Sequence, residues 1–175
     1  MNEPPCPCGK PATTQFQHLG PLCTACFTDV INRRSRKAAK DTGWLQKGAK
    51  VHVFEDNTLQ GKALSVIFKQ VFKGLPLEHV PADQAAALVI GKTADDEAED
   101  FLNQLFAGKL EQKPAVLNLF ANISTAEIEK YCELNAIVGE KPAKTELRTR
   151  LEALDKRYPG SLFSLQKSQD SFRRL

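Results

Sequence analysis

After residue 46, hydrophobic positions alternate between the period of a strand and the period of a helix. Short apolar runs predict four strands, at 51–54, 77–80, 86–90 and 115–120. Between and after them, apolar residues recur three and four positions apart, which predicts amphipathic helices. The helices are Leu64–Phe72 ending near Gly74, Ala98–Phe106 ending at Gly108, one from the capping box Ser124–Glu127 to about Asn135, Glu146–Arg157, and one from Pro159 onward.

This alternation predicts the fold class. Strands that are separated by helices imply right-handed crossovers, so we expect an α/β fold with a mainly parallel sheet. The run 86–90 is apolar throughout, which is typical of a strand buried on both faces.

A different pattern occupies the N-terminal part of the chain. Residues 1–26 are rich in Pro, Cys and Gly, and we expect a loop module there. Residues 27–40 predict a helix with Phe27, Val30 and Ile31 on its inner face. The outer face is basic and is the candidate nucleic-acid contact: Arg33, Arg34, Arg36, Lys37 and Lys40. The alternative is a basic face that only meets solvent.

Cysteine spacing makes the loop module a candidate metal centre. Four of the five cysteines form two close pairs, Cys6 with Cys8 and Cys23 with Cys26. Four thiolates suit the tetrahedral shell of a structural zinc ion, and a small loop module can fold around such an ion. Disulfides are a weaker interpretation because the cysteine count is odd. His18 is an alternative ligand, although a loop histidine is the simpler interpretation.

Composition sets limits without naming a function. The 175 residues suffice for one hydrophobic core and a small appendage. No apolar run approaches the roughly 20 residues of a membrane span, so we expect a cytoplasmic protein without a membrane partner. The net charge of +3 is small, so any nucleic-acid contact must come from local clusters. A weaker basic cluster lies near the C-terminus: Arg148, Arg150, Lys156, Arg157, Arg173 and Arg174.

Two segments in the α/β part are candidates for a phosphate-binding or catalytic site. The loop after the first strand carries Glu55 and Asp56 where a phosphate-binding loop needs small residues, and Gly61-Lys62 lacks the rest of a Walker A motif. The segment 91–102 contains Asp95 and Asp96. It predicts a helix N-cap at Thr93 followed by an acidic first turn, with magnesium binding or acid–base catalysis as the alternative.

Several strings in one order resemble the tRNA 2-thiolation ATP pyrophosphatases of the PP-loop class. The segment 87–108 is similar to the family's G-H-N-x-D-D-E-A motif and the helix that follows it. The other strings are the cysteine pairs with the basic helix, Gly48–Val51 at the start of a strand, and Tyr158–Ser161. The resemblance implies a Rossmann-like, PP-loop-like α/β fold with an N-terminal zinc knuckle. It implies three parts: a knuckle at 1–26, a basic linking helix at 27–46 and the α/β domain at 47–175.

The chain also departs from that family. Glu55–Thr58 stands near the place of the S-G-G-x-D-S loop, Lys92 and Thr93 replace the His and Asn of the motif, and Glu140-Lys141-Pro142 lies where a Cys-Pro is usual. The chain therefore most resembles the degenerate, non-catalytic second subunit of the cytoplasmic thiolation complex. That resemblance implies structural zinc, no ATP or iron–sulfur cluster, no catalytic residue, and two partners: tRNA and an active PP-loop thiolase.

Two alternatives stay open from the sequence. One is a reduced tRNA sulfurtransferase that uses Asp95, Asp96 and a thiol supplied by a partner. The other is a free-standing zinc-containing RNA-binding module.

Overall fold

The N-terminal part of the chain is a small hairpin followed by a long helix. The structure is a computed structural model that describes residues 4–43, 46–109 and 116–172. Strands β1 (Thr14–Phe16) and β2 (Gly20–Leu22) pair in antiparallel fashion and lead into helix α1 (Thr24–Thr42). The helix begins before the predicted Phe27 because Cys23 is its N-cap, so Cys26 lies inside its first turn. It ends at Gly43, whose φ of 66° is the left-handed conformation typical of a helix C-terminus.

The predicted parallel sheet is confirmed. Its strands are β3 (Lys50–Val53), β4 (Glu78–His79), β5 (Ala87–Ile90) and β6 (Val116–Asn118). They lie in the order β4-β3-β5-β6, and each neighbouring pair is parallel. The hairpin β1–β2 and a single 3-10 turn at Ala82–Gln84 were not predicted. The first residue of the predicted strand 115–120, Ala115, lies outside the described residues.

Five further helices connect and cover the strands. They are α2 (Leu59–Val71), α3 (Ala94–Phe106), α4 (Thr125–Leu134), α5 (Glu146–Arg157) and α6 (Ser161–Phe172). The capping box at the start of α4 is present: the Ser124 hydroxyl accepts from the Glu127 N–H, and the Glu127 carboxylate accepts from the Ser124 N–H. None of the helices in the described ranges is long and apolar enough to cross a membrane.

The hydrophobic core joins the parts that the sequence separates. Phe27 and Ile31 of α1 are fully buried in the same cluster as Val51, Leu64 and Leu117. Helix α1 therefore contributes to the hydrophobic core. A second, smaller cluster holds α3, α5 and α6 together around Ala98, Leu151 and Leu162.

One expectation about the sheet is wrong. The segment 86–90 was predicted to be buried on both faces, but Leu88 is 36% exposed. The physical reason is that successive residues of a strand face opposite sides of the sheet: Ala87 and Val89 are buried on one side, and Leu88 lies on the other.

Candidate functional site

The four N-terminal cysteines converge from two local structures. Cys6 and Cys8 lie in a tight loop in which the Cys6 carbonyl accepts from the Gly9 N–H at 2.8 Å. Gly9 has a φ of 84°, which a residue with a side chain rarely adopts, so glycine lets this loop close. Cys23 and Cys26 are the N-cap and a first-turn residue of α1, one helical turn apart.

The sulfur atoms are close enough to share one ligand. The four Sγ atoms lie within 4.8 Å of one another, with 3.4 Å between Cys8 and Cys6 and 3.6 Å between Cys8 and Cys23. None of the four is in a disulfide. A tetrahedral ion with Zn–S bonds of about 2.3 Å would place its sulfurs about 3.8 Å apart. The predicted grouping of the four residues therefore has the dimensions of a metal site.

The proximity of the four cysteines shifts the pKa values of three of them in opposite directions. A hydrogen bond from the Cys8 backbone N–H, then one from Cys23, lowers the pKa of Cys6 to about 6. The Cys26 backbone N–H lowers the pKa of Cys23. Hydrogen bonds with the Cys8, Cys23 and Cys6 thiols raise the pKa of Cys26 to about 12. Four thiolates in such proximity repel one another, and a bound cation would remove that repulsion.

His18 does not belong to the cysteine group. Its Nε2 lies 3.1 Å from Oε1 of Glu127, whose side chain is 0% exposed. The Arg34 guanidinium donates to the same oxygen at 2.8 Å. Burial alone would raise the pKa of Glu127, but hydrogen bonds from His18 and the Ser124 N–H, with the Arg34 charge, hold that pKa below its usual value. The knuckle, α1 and α4 therefore meet at one buried carboxylate.

The basic face of α1 is only partly available. Arg33, Arg36, Lys37 and Lys40 are exposed, and within the described ranges none of them forms an ion pair. Arg34, the fifth predicted contact, is half-buried and bound to Glu127. Nucleic-acid contact by this face stays a prediction, and it falls on the four exposed side chains.

The loop after β3 is closed by its own side chains. Asp56 Oδ1 accepts from the Thr58 N–H at 2.9 Å and from the Thr58 hydroxyl at 2.5 Å. A Cβ on Gly61 would collide with the same carboxylate, so Asp56 lies directly on the first turn of α2. The Leu59 N–H donates to the Glu140 carbonyl at 2.9 Å, and the Gly61 N–H donates to the Thr58 hydroxyl at 3.0 Å. Three amides at this helix start, those of Thr58, Leu59 and Gly61, therefore already have acceptors and are not free for a phosphate.

The acidic segment after β5 is a structural network. Thr93 is the predicted N-cap of α3 and exchanges hydrogen bonds with Asp96. Asp95 is 4% exposed and accepts from the Thr125 N–H at 2.7 Å; burial raises its pKa. The Arg148 guanidinium donates to Asp96 Oδ1 at 2.7 Å and to the Thr125 hydroxyl at 2.8 Å. These contacts join the starts of α3 and α4 to α5.

Arg148 is the main residue that sequence reasoning misplaced. It was part of the predicted C-terminal basic cluster, but it is 5% exposed and serves as the cation of this network. Its spacing after Thr145, the N-cap of α5, gives no sign of burial. Two other members of that cluster, Arg173 and Arg174, lie outside the described residues.

Comparison with known proteins identifies a solved structure with a similar fold. No family model and no curated protein matches the chain. Among solved structures, it is similar to the U34-tRNA thiolase NcsA from Methanococcus maripaludis with its 4Fe-4S cluster. The TM-score is 0.78 at 16% sequence identity, over 95% of this chain and 86% of the thiolase. The chain shares its fold with this thiolase. At this identity, the thiolase fold is what the similarity establishes.

The same comparison corrects one expectation about cofactors. We expected structural zinc without ATP or an iron–sulfur cluster. The similar thiolase carries a 4Fe-4S cluster, and four cysteines are a donor set for such clusters as well as for zinc. The expectation of no iron–sulfur cluster is therefore wrong, because the four-cysteine group fits either a cluster or a metal ion.

Proposed function

We propose that the chain is a non-catalytic subunit of a cytoplasmic tRNA wobble-uridine 2-thiolation complex, in which it binds tRNA and assembles with an active PP-loop thiolase. The fold supports the pathway: the similar structure is a U34-tRNA thiolase that aligns with 95% of this chain. The observation that carries the non-catalytic part is the position of Asp56, on the first turn of the helix that follows β3.

The argument from Asp56 is electrostatic. In an open parallel sheet, ligands bind at the carboxyl ends of the strands, and phosphates bind at helix N-termini. At α2 a carboxylate of the chain takes the place that a phosphate would need. A second carboxylate, Glu55, accepts from the Ser65 hydroxyl at 2.5 Å. Two negative charges at this edge oppose the binding of the ATP phosphates that an adenylation reaction requires.

The alternative of a reduced sulfurtransferase has less support. It assigns catalysis to Asp95 and Asp96, but the Asp95 carboxylate is buried against the start of α4, and Asp96 is paired with Arg148. A general acid or base must reach the substrate, and neither carboxylate has that freedom.

For the metal centre, we propose that Cys6, Cys8, Cys23 and Cys26 together bind one thiolate-ligated centre, either a metal ion such as Zn²⁺ or an iron–sulfur cluster. Metal analysis together with the visible absorption spectrum separates the two, because zinc is colourless whereas an iron–sulfur cluster absorbs visible light.

The test of the proposed function is pyrophosphate release by the purified chain with tRNA and ATP, followed by capture of partners on the immobilised chain. We expect no release above background, and a PP-loop thiolase among the captured proteins. ATP-dependent adenylation of tRNA by the chain alone would overturn the non-catalytic role. A free-standing RNA-binding module would instead bind tRNA and capture no thiolase.

A further inference from the structure

A cleft of about 1370 Å³ lies beside the knuckle, away from the loop that carries Asp56. It opens between α1 and the C-terminal helices α5 and α6, next to β6. Sites for small ligands usually measure about 300–1,000 Å³, so this cleft suits a longer ligand. The residues that carry the argument are Phe16, His18, Lys37, Lys156, Phe163 and Lys167.

Three cations reach this cleft from three different helices. Lys37 lies on α1, Lys156 on α5 and Lys167 on α6. All three are exposed, and in the described part of the chain none of them pairs with a carboxylate. Lys37 also belongs to the basic face of α1, so the cleft continues that face.

Most acidic groups in the cleft wall have partners within the protein. Asp95 accepts from the Thr125 N–H, and Glu97 accepts from the Asn118 amide at 3.0 Å. Glu152 pairs with Lys144 and Glu129 with Lys141, at 2.7 and 3.3 Å. Asp155 accepts from the backbone N–H groups of Gly160 and Leu162. Asp41 at the end of α1 also lines the cleft, so its wall combines acidic groups with the three unpaired lysines.

An aromatic wall faces the same cleft. The rings of Phe16 and His18 have centroids 6.1 Å apart, and those of His18 and Phe163 have centroids 5.9 Å apart. Phe16 stacks on the buried Phe27 with an interplanar angle of 10°, which anchors this wall to the core. Phe163 is half-buried and lies outside both core clusters.

From this combination, we infer that the cleft binds an unpaired segment of RNA, with a base against Phe163 and phosphates at Lys37, Lys156 and Lys167. Proteins that hold single-stranded RNA combine aromatic side chains, on which bases stack, with cationic side chains that contact the phosphates. The inference rests on the proposed function for its tRNA, and it adds the place and the part of the tRNA: an unpaired loop, not the paired stem.

The experiment measures binding of a tRNA anticodon stem–loop by fluorescence anisotropy over a series of salt concentrations. A fully paired RNA with the same number of phosphates serves as the control ligand. Phe163→Ala should weaken binding of the stem–loop about ten-fold or more and leave binding of the duplex unchanged, because a stacking contact is lost. Phe163→Trp should retain binding, and circular dichroism confirms that both variants are folded.

The lysines should act differently from Phe163. Lys156→Glu and Lys167→Glu should each reduce the slope of log K against log salt by about 0.7 or more, since each removes a phosphate contact. Phe163→Ala should leave that slope unchanged. Lys73→Glu, an exposed lysine after α2 that does not line the cleft, is the matched control and should behave as wild type.

The outcomes separate this inference from the function on which it rests. If Arg33→Glu with Arg36→Glu weakens binding but the cleft variants do not, the cleft inference is overturned and tRNA contact stands. If Phe163→Ala weakens the stem–loop and the duplex equally, base stacking in the cleft is also overturned. If the wild type binds neither RNA, both the inference and the tRNA contact fail.

Discussion

Polar groups gather at two places in this protein, the cysteine knuckle and the carboxyl edge of the sheet, and they gather in different ways. At the knuckle, the four Sγ atoms lie within 4.8 Å of one another. At the sheet edge, Asp56, Asp95 and Asp96 each accept hydrogen bonds from the chain itself. The knuckle therefore has sulfur atoms that can coordinate a ligand, whereas the carboxylates at the sheet edge accept hydrogen bonds at the starts of helices.

This difference separates a binding site from a structural network. Both regions have sequence patterns that suggest chemistry, two cysteine pairs in one and Asp95-Asp96-Glu97 in the other. Only the contacts reveal that the carboxylates are already satisfied. The following predictions test this contrast, from the largest expected effect to the smallest.

Replacing a knuckle cysteine should have the largest effect. Cys23→Ser should abolish stoichiometric metal, because metal binding and folding of such a module are one process. Metal analysis and thermal unfolding measure the loss. Cys132→Ala is the control, since Cys132 is buried near the Leu59 carbonyl and is outside the group, so it should retain full metal. Equal metal content in Cys23→Ser and wild type would remove the knuckle as a metal site.

Replacing Glu127, the buried carboxylate that contacts both the knuckle and α1, should have the second largest effect on stability. Glu127→Ala leaves Arg34 without its partner, and loss of one member of a buried ion pair lowers the free energy of unfolding by about 3–5 kcal/mol. Chemical denaturation measures it. The exposed pair Arg150–Glu146 supplies the control: Glu146→Ala should change stability by less than about 1 kcal/mol. Similar losses in the two variants would contradict the role of Glu127.

The same residue predicts a pH dependence. Because the pKa of Glu127 is lower in the folded state, its contribution to stability is fully present above the ordinary glutamate pKa of about 4.3. That contribution is lost as pH falls through the lowered folded pKa. Glu127→Gln should therefore be less stable than wild type at neutral pH, and the difference should shrink in acid. A difference that grows toward acid would contradict this sign.

A smaller effect is expected at Asp56, which accepts hydrogen bonds from Thr58, the N-cap of α2. Asp56→Ala should lower the free energy of unfolding by about 1 kcal/mol, the usual net value of a lost hydrogen bond, and Asp56→Asn should retain most of that stability. Neither change should alter thiolation by the assembled complex. If Asp56→Asn keeps full stability but abolishes thiolation, Asp56 has a chemical role and the structural interpretation of this edge is wrong.

The smallest effect is expected at an exposed pair on the same edge. Lys92 lies 2.5 Å from Asp100, and both side chains are about half exposed. Lys92→Met should change stability by less than about 1 kcal/mol, because solvent screens such a pair. Denaturation of Lys92→Met beside Asp56→Ala ranks the two contributions, and a larger loss at Lys92 would reverse the order.

The sequence predicted what local patterns determine. The bounds of α5 agree with the prediction, as do the capping box at Ser124 and the parallel order implied by alternating strands and helices. The grouping of Cys6 with Cys23 was also predictable, because close cysteine pairs have few other uses in such a loop. These features depend on neighbours along the chain or on one strong spacing.

The missed features depend on contacts between distant residues. His18 meets Glu127 across 109 positions, and Arg148 meets Asp96 across 52. A charged residue has the same letter whether it is solvated or buried against a partner, so Arg34 and Arg148 both entered the predicted basic surfaces. Packing of α1 and α5 against the domain decides their roles.

The measurement that tests the central claim most directly is 2-thiouridine in tRNA, quantified by mass spectrometry after reaction with an active PP-loop thiolase, ATP and a sulfur donor. We predict no product from this chain alone and more product when it joins the thiolase than with the thiolase alone. Arg33→Glu with Arg36→Glu should reduce that gain, and Asp56→Asn should preserve it. Product from this chain without the thiolase, or no gain on its addition, would contradict the proposed role.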